Sequence, residues 1–359
     1  MMKSQVLKIL IISFLIIIFI IPVKGQDVNF SQFYNNPIYY NPGLAGISTG
    51  MNIRAQYRKL WPRINSEFRT CNLTIDVEEI NVSGGLGLIA TSGSDNGGLI
   101  KTTKIGGVYS YRLIVIPREF IVQVGFEAAY IEKQIDYSGL VFSDQLDPVL
   151  GDVYESGFKS QGSDKVIYPD FSVGFVSRFN LGKRSGRKPA TTNTFGAAFH
   201  HITQPNESYI GLDSRLPIKT TIHFNSIIPL RYNHDKEIKF APALIYERQA
   251  DLETFTGGLN VVKNPIYMGL WLRNKNLLLE NKNYDALVVM LGINTVINNS
   301  TILRIGYSYD ITVSKLRTAT AGSHEITLNF ELKNFKLFSD RTPSFKRKSF
   351  SNKVCFDKF

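Results

Sequence analysis

Long segments in which apolar and polar residues alternate place the strongest constraint on the fold of this chain. Between residues 325 and 332, large apolar residues occupy the even positions, and Glu, Thr, Asn and Glu occupy the odd ones. The segments 303–310, 120–130 and 53–61 follow the same two-residue period. Since successive side chains of a strand point to opposite faces, each segment is predicted to be a strand with one apolar and one polar face.

The strands predicted in this way are long, and most would cross a bilayer at a tilt, which takes about 9 to 11 residues. Strands of soluble proteins are shorter, with about five or six residues. A soluble sandwich with one wet face remains the alternative, because it shows the same alternation. About 14 strands are predicted between residues 52 and 334. They are 52–61, 67–78, 82–92, 101–113, 119–134, 166–181, 193–203, 217–230, 237–248, 253–263, 266–274, 285–297, 300–313 and 323–334.

The lengths of the connections favour a membrane barrel over a sandwich. Tight turns such as Asn298-Asn299 follow most even-numbered strands, whereas the longest connection, Ile135 to Lys165, follows an odd-numbered one. Short periplasmic turns that alternate with longer external loops are typical of outer-membrane barrels. The chain is therefore predicted to be all-β, with a transmembrane antiparallel β-barrel over residues 52–334. Aromatic residues near the predicted strand ends would form interfacial girdles or belong to a core; they are Trp61, Tyr111, Tyr130, Tyr267 and Trp271.

A leader precedes the predicted barrel. In residues 1–25, two lysines precede the apolar run Ile9 to Ile21, and small residues occupy the two cleavage-determining positions, Val23 and Gly25. This pattern is typical of a signal peptide, so the mature chain is expected to begin at Gln26. A membrane anchor is the alternative, although the run is shorter than the roughly 20 residues of a spanning helix.

Residues 26–51 combine many aromatic side chains with two Asn-Pro pairs. Disordered tails contain few aromatic residues, and regular elements contain few Asn-Pro pairs, because proline lacks a backbone donor and restricts the residue before it. Irregular backbone cannot face lipid but can be buried inside a barrel. The segment is therefore predicted to be a plug or latch, and a disordered N-terminus is the alternative. The predicted contact residues are Phe30, Phe33, Tyr34, Pro37, Tyr39, Tyr40 and Pro42.

The formal net charge of +11 is not a property of the predicted barrel. Basic residues predominate in the leader and after residue 333, whereas the body between them is nearly neutral. A nucleic-acid-binding function is therefore not indicated. Residues 335–359 are predicted to form a basic periplasmic tail, which is either disordered or a contact for secretion-system or cell-wall components.

Polar residues on the predicted inward faces support a second interpretation, a passive pore or small-solute channel. A polar interior is also normal for a barrel of any function. The longest loop is the candidate partner-binding surface, through Asp144, Gln145, Asp147 and Pro148. The predicted lumen-facing residues are Arg54, Arg58, Glu127, Arg304, Asp310 and Glu325.

No motif in the sequence indicates catalysis or a cofactor. The phosphate-binding glycine loop is absent, and the one Gly-x-Ser-x-Gly pattern, at residues 46–50, precedes a predicted strand instead of joining a strand to a helix, so it does not indicate a nucleophile elbow. His200 and His201 are adjacent, so on a strand they would point to opposite faces and could not bind one metal together. A hydrolase with His223 and a nearby serine on the barrel wall is the enzymatic alternative, and the chain is predicted not to be an enzyme. The pair Gly84-Gly85 is predicted to be a bend or bulge in a strand.

In several blocks the sequence resembles a known family. The blocks are "FSQFYNNPIYYNPGLAG" followed by "YRKLWP", then "HHITQPN" at 200–206, "GLWLRN" at 269–274, and "GYSYDITVSKL" leading to "GSHEI" at 306–326. In this order they resemble the PorP/SprF family of Bacteroidota outer-membrane proteins, and they span nearly all of the mature chain. Cys355 also resembles a cysteine of family tails that often precedes Pro, whereas Phe356 follows it here.

The resemblance implies a function that the residue patterns alone do not indicate. Family members are β-barrels associated with the type IX secretion system, and they are commonly paired with large secreted adhesins, as in gliding motility. They help to export one cognate partner or hold it at the cell surface. The resemblance thus implies a protein of the outer membrane that contacts lipid and one adhesin-like partner.

Overall fold

A computed structural model of the protein describes residues 27–338, apart from 65–67, 118, 138–139, 148–150, 155, 158–162, 183–190, 210, 232–237, 276–283, 299, 314–319, 334 and 336. The predicted signal peptide and most of the predicted basic tail lie outside the described residues. Within the described part of the chain, no helix combines the length and the apolar character needed to cross a membrane.

Fourteen strands form one closed antiparallel barrel. They are β1 (Met51–Leu60), β2 (Phe68–Glu79), β3 (Gly84–Asp95), β4 (Ile100–Ile116), β5 (Phe120–Ile135), β6 (Lys165–Leu181), β7 (Thr191–His200), β8 (Lys219–Arg231), β9 (Ile238–Gln249), β10 (Leu252–Lys263), β11 (Ile266–Lys275), β12 (Tyr284–Asn298), β13 (Thr301–Thr312) and β14 (Ser323–Leu332). Strands that follow one another in sequence are neighbours, and β1 pairs with β14, for example Tyr57 with Ile326. The predicted fold class and number of strands are therefore confirmed.

The barrel wall is polar inside and apolar outside. On β14, Glu325 and Glu331 are buried, whereas Ile326 and Phe330 between them are exposed. On β11, Leu270 is likewise directed outward and is 56% exposed. A closed barrel pairs the backbone groups of its strands with one another, and an apolar outer face can contact hydrocarbon. The wall therefore has the composition and the closure that a bilayer requires.

The two ends of the barrel differ in their connections. The start side is the end at which β1 begins and β14 ends, and it carries short turns such as 80–83 and 264–265. The opposite end, the loop side, carries the long connections 136–164 and 201–218. Odd-numbered strands therefore run from the start side to the loop side, and even-numbered strands run back.

Short helical turns complete the described structure. In the connection 136–164, Leu146–Asp147 pairs with Gly151–Asp152 as a small hairpin. The helical turns are the four-residue α-helix α1 (Pro37–Tyr40) and the 3-10 turns Phe33–Asn35, Pro42–Leu44, Ile80–Val82, Asn96–Gly98 and Ser143–Gln145.

Two predictions about the wall are wrong in part, because the structure supports the core alternative for two aromatic residues and contradicts the bulge at one glycine pair. Tyr267 and Trp271 belong to no girdle, because they alternate on β11 with outward-facing residues and are buried inside the barrel. Tyr111 and Tyr130 do lie on the outer face, each about half exposed. The Gly84-Gly85 pair forms no bulge, since both neighbouring ladders continue through it without a register shift.

Candidate functional site in the barrel interior

Residues 27–50, here called the N-terminal segment, cross the interior from the loop side to the start side. The carboxylate of Asp27 lies 2.7 Å from Nε2 of His201, which directly follows β7. The backbone N–H of Asp27 donates to the side chain of Gln249 at the end of β9 (2.9 Å). Both strand ends are on the loop side. The backbone N–H of Gly46 donates to Asp76 near the end of β2, on the start side (2.9 Å).

The segment is irregular, yet its own side chains bond much of its backbone. The hydroxyl of Tyr40 accepts from the backbone N–H of Phe30 and donates to the carbonyl of the same residue, each at 2.8 Å. The hydroxyl of Tyr39 donates to the carbonyl of Val28 (2.7 Å). Because α1 begins with proline, it also lacks one N–H that would need a partner at a helix start. These bonds tie residues 28–30 to α1, and they satisfy the backbone groups of Phe30, which is buried, and the carbonyl of Val28, which is half-buried.

An aromatic cluster joins the segment to β11. Phe30, Phe33 and Tyr40 are buried together with Trp271. The ring of Phe33 meets Trp271 edge-on at 5.2 Å between centroids, and Tyr34 stacks on the same indole at 5.7 Å. Of the other predicted contact residues, Tyr39 packs against this cluster, Pro37 is half-buried and Pro42 is buried.

A cluster of buried charges holds the first part of the segment. Arg58 lies 2.6 Å from Asp310 and 2.9 Å from Glu325, and Arg273 lies 2.9 Å from Asp310. The hydroxyl of Ser31 donates to Asp310 (2.7 Å) and accepts from both guanidinium groups (2.5 and 2.7 Å). The backbone N–H of Ser31 also donates to Glu325 (2.7 Å). This charge cluster therefore combines two arginines, two carboxylates and one hydroxyl in a network that includes the segment.

The remaining predicted lumen-facing residues are also buried, but each has a separate partner. Arg54 pairs with Asp76, Glu127 lies 2.6 Å from Lys104, and Arg304 lies 2.9 Å from Glu331. These three inward charges are thus each neutralised by one partner on the wall. Whether they line a water path stays a prediction.

On the opposite wall, glycines let the backbone of the segment touch the strands. A Cβ added at Gly125 of β5 would lie 2.2 Å from the carbonyl carbon of Pro42, and one added at Gly174 of β6 would lie 2.0 Å from Oδ1 of Asn41. Real Cβ atoms do not approach so closely, so a side chain at Gly125 would displace the backbone of the segment, and one at Gly174 would displace the side chain of Asn41. The amide of Asn41 donates to the carbonyl of Phe175 (3.1 Å) and contacts Nε2 of His223 (3.1 Å). The part of β5 and β6 around Gly125 and Gly174, against which the segment packs, is here called the glycine wall.

The histidine pair differs from its prediction. β7 was predicted to continue to residue 203, but it ends at His200, and His201 takes a left-handed backbone (φ 57°). Both side chains are therefore buried on the inside, instead of pointing to opposite faces. His200 contacts the carbonyl of Tyr40 (3.1 Å), and His201 lies between Asp27 and Asp170, the latter 3.0 Å from its Nδ1.

The environment of His201 favours its charged form. Burial lowers the pKa of His201, but the carboxylates of Asp27 and Asp170 more than offset this and raise it to about 9. In return, burial opposes ionisation of Asp27, while His201 holds the pKa of that carboxyl well below its usual range. The contact is therefore an ion pair at neutral pH, and it fixes the loop-side end of the segment.

In the predicted partner-binding loop, Asp144 and Gln145 form hydrogen bonds with other residues of the same loop. The carboxylate of Asp144 accepts from the hydroxyl of Ser156 (3.0 Å) and the backbone N–H of Gly157 (2.8 Å), and these bonds lower its pKa. The side chain of Gln145 accepts from the backbone N–H of Phe142 (2.7 Å). Asp147 is in the small hairpin, and Pro148 lies outside the described residues.

Among the described residues, cavities border the N-terminal segment at both ends of the barrel. One of about 120 Å³ lies toward the start side and includes Ser48 in its lining. Two others, of about 140 and 290 Å³, lie toward the loop side, and both are bordered by Asp27 and Val28. The larger of the two also reaches Asn29 and Trp61.

Several residues of this site were not predicted from sequence. Arg273 and Asp27 show no pattern of their own, although the former lies in the recognisable block at 269–274. Gly125 occupies an inward position between the polar residues Gln123 and Glu127, and this is a usable signal for close contact. Gly174, in contrast, lies between Ser172 and the apolar Val176 and shows no such pattern. An inward glycine among polar residues of a long strand therefore predicts that another segment of the chain packs closely against that position.

The barrel was compared with solved structures and with curated proteins. It is similar to CdiB from Acinetobacter baumannii (10% identity, TM-score 0.38), and the match covers 78% of this chain and 59% of that one. It is also similar to a Pseudomonas aeruginosa FadL homologue (13% identity, TM-score 0.40), and that match covers 87% of this chain and 99% of the other. A third similar structure is the translocator domain of the autotransporter NalP from Neisseria meningitidis (13% identity, TM-score 0.35), with 79% of this chain and 88% of the other covered. No curated protein matches the sequence.

A comparison with models of protein families identifies the family of this chain. The model described as "Type IX secretion system membrane protein PorP/SprF" matches residues 23–330, which include the N-terminal segment and nearly the whole barrel. The match agrees with the resemblance of the separate sequence blocks. The chain therefore belongs to the PorP/SprF family of type IX secretion system membrane proteins.

Proposed function

We propose that this protein is a non-enzymatic barrel of the bacterial outer membrane that supports secretion or surface attachment of one cognate large secreted protein, such as an adhesin. The observation that carries the proposal is the family match over residues 23–330. The signal peptide is removed after Gly25, and the barrel then inserts with its start side in the periplasm. The partner is bound from the loop side.

The packing of the interior supports a binding function over transport of solutes. The N-terminal segment contacts inward side chains on both walls, from the charge cluster to Gly174. Inward charges such as Glu127 and Arg304 are paired. A barrel filled in this way presents its long connections, 136–164 and 201–218, as the surfaces on which a secreted protein can be held.

The decisive experiment is deletion of the gene and measurement of its partner. We expect the large secreted protein encoded nearby to disappear from the cell surface, while an unrelated type IX cargo is exported at its normal level. Reintroduction of the intact gene should restore the partner. Normal export and normal surface attachment of the partner in the deletion strain would refute the proposal.

A passive pore is the alternative, and the loop-side cavities with charged side chains at their borders are the observation that favours it. The larger has a volume of about 290 Å³ and is bordered by Arg58, Arg273 and Lys275. Planar-bilayer recording of the intact protein separates the two functions. We expect a silent barrel, and a steady conductance would favour the pore.

Two further parts of the proposal have direct tests. His223, the residue of the hydrolase alternative, contacts the amide of Asn41, so the purified protein should hydrolyse neither lipid esters nor peptides. The basic tail contacts secretion-system or cell-wall components in the periplasm. Truncation before residue 339 should then lower recovery of those components in crosslinking without lowering the amount of folded barrel.

A further inference from the structure

The two ends of the N-terminal segment lie at opposite mouths of the barrel. Gly50 is on the start side, where its carbonyl accepts from the backbone N–H of Glu78 at the end of β2 (3.1 Å). Asp27 is on the loop side, beside His201 and Gln249. The chain therefore crosses the whole interior before it enters β1.

Contacts between these ends fix the direction of the path. Ser31 is bound to Asp310 and Glu325, toward the loop-side ends of β13 and β14. Five residues later, the amide of Asn36 accepts from the hydroxyl of Thr74 (2.8 Å), closer to the start-side end of β2. Gly46 then binds Asp76 at that end. Each contact pairs an inward strand residue with the segment, so the path descends through the barrel instead of looping below it.

The connections indicate which mouth faces outward. The start side has the short turns 80–83 and 264–265, and the loop side has the connections 136–164 and 201–218. Short turns face the periplasm and long loops face the exterior in barrels of the outer membrane. The end of the segment near Asp27 is accordingly at the external mouth.

We propose that the mature N-terminal end of this chain reaches the external mouth through the barrel, where Asp27, Val28 and Asn29 form part of the surface open to a secreted polypeptide. Two cavities, of about 140 and 290 Å³, flank Asp27 and Val28, and they give a polypeptide segment room to lie against this end. The use of this surface by the partner rests on the proposed function, whereas its exposure does not.

The predicted cleavage after Gly25 would make Asp27 the second residue of the mature chain. The described path of the segment therefore begins next to the N-terminus that this cleavage would create.

Cysteine accessibility in intact cells tests the proposal, with both probes in the same segment. In a background with Cys71→Ser and Cys355→Ser, Asn29→Cys places a thiol beside the loop-side cavity. Ser48→Cys places one beside the start-side cavity and is the matched control. A membrane-impermeant maleimide should label the first variant in intact cells, and the second only after the outer membrane is permeabilised.

The labelling result has clear alternatives. Labelling of Ser48→Cys in intact cells, or of Asn29→Cys only after permeabilisation, would overturn the proposal. If neither thiol reacts, an epitope inserted between Gln26 and Asp27 decides the matter: detection by antibody on intact cells supports external exit, and detection restricted to permeabilised cells refutes it. Labelling requires no partner, so loss of the proposed secretion function would leave this result unchanged.

Discussion

The two walls that hold the N-terminal segment do so by different chemistry. The wall of β1, β11, β13 and β14 offers the charge cluster, in which Glu325 accepts two backbone N–H groups of the segment. The wall of β5 and β6 offers Gly125, against which the backbone of Pro42 and Gly43 lies, and Gly174, which leaves room for the side chain of Asn41. The first wall holds the segment mainly by hydrogen bonds to charged side chains, and the second by close contact at the two glycines together with uncharged hydrogen bonds such as that from Asn41 to the carbonyl of Phe175.

The difference shows how an irregular segment can acquire a single position inside a barrel. Backbone without a regular ladder needs partners for its polar groups, and the charged wall supplies them. Buried charges alone are weak evidence of stability, because desolvation offsets much of their attraction. The glycine wall supplies close packing without any charge. Each wall therefore contributes what the other lacks.

Removal of the segment tests both walls at once and should give the largest effect. Deletion of residues 27–46 leaves the charge cluster and the glycine wall without their common partner, so we expect a steady conductance in planar bilayers where the intact protein is silent. Addition of a peptide of residues 27–46 should close the channel again. Deletion of residues 341–359 is the control and should leave the bilayer silent. A deletion variant that stays silent and keeps its thermal stability would contradict the plug.

Substitution of Glu325 breaks the charged wall alone. Glu325→Gln leaves Arg58 with one carboxylate and gives the Ser31 N–H a weaker acceptor. Loss of one partner from a buried ion pair lowers the free energy of unfolding by about 3–5 kcal/mol. The free energy of unfolding in detergent measures this loss. Asp213→Asn, which removes an exposed partner of Arg215, is the matched control and should change it by less than about 0.5 kcal/mol. Equal effects of the two variants would show that the cluster does not hold the segment.

Substitution of Gly174 breaks the glycine wall alone. Gly174→Val forces Asn41 and Pro42 away from β6, and overpacking of a well-packed site typically costs about 1–3 kcal/mol. We expect lower thermal stability together with a small conductance, because the segment is displaced and the charge cluster remains. Gly107→Val is the matched control, since a Cβ at Gly107 meets nothing within 4 Å. Unchanged stability of the Gly174 variant would mean that the segment does not press on this wall.

The barrel could be predicted from sequence because its signal is local. Alternation along one strand shows which of its faces is polar without information from the rest of the chain. For example, the strand predicted at 285–297 is observed at Tyr284–Asn298, which differs by one residue at each end. The error at β7 has a physical reason: His201 and Gln204 take left-handed backbone conformations, which end the strand although its composition continues.

The contacts of the N-terminal segment could be predicted only in part. Its aromatic residues and Asn-Pro pairs indicate burial, because neither a disordered tail nor a regular element contains both. Its partners are remote in sequence, such as Glu325 for Ser31, and they meet it only when all 14 strands have their register. No local pattern carries that register. Hence the predicted lumen-facing set included Arg58, Asp310 and Glu325 but not Arg273.

The ion pair of Asp27 and His201 gives the smallest expected effect, because it holds one end of the segment and neither wall. The pKa of His201 is raised to about 9, so its stabilising contribution is fully present below about pH 6.5 and is lost as the pH rises through about 9. His201→Gln cannot be charged at any pH. The difference in free energy of unfolding between the two proteins should therefore shrink by about 2 kcal/mol between pH 7 and pH 10. Lysines and tyrosines that titrate in both proteins cancel in this difference. A difference that stays constant over this range would show that His201 is neutral in the folded barrel and that the end of the segment is held by Gln249 instead.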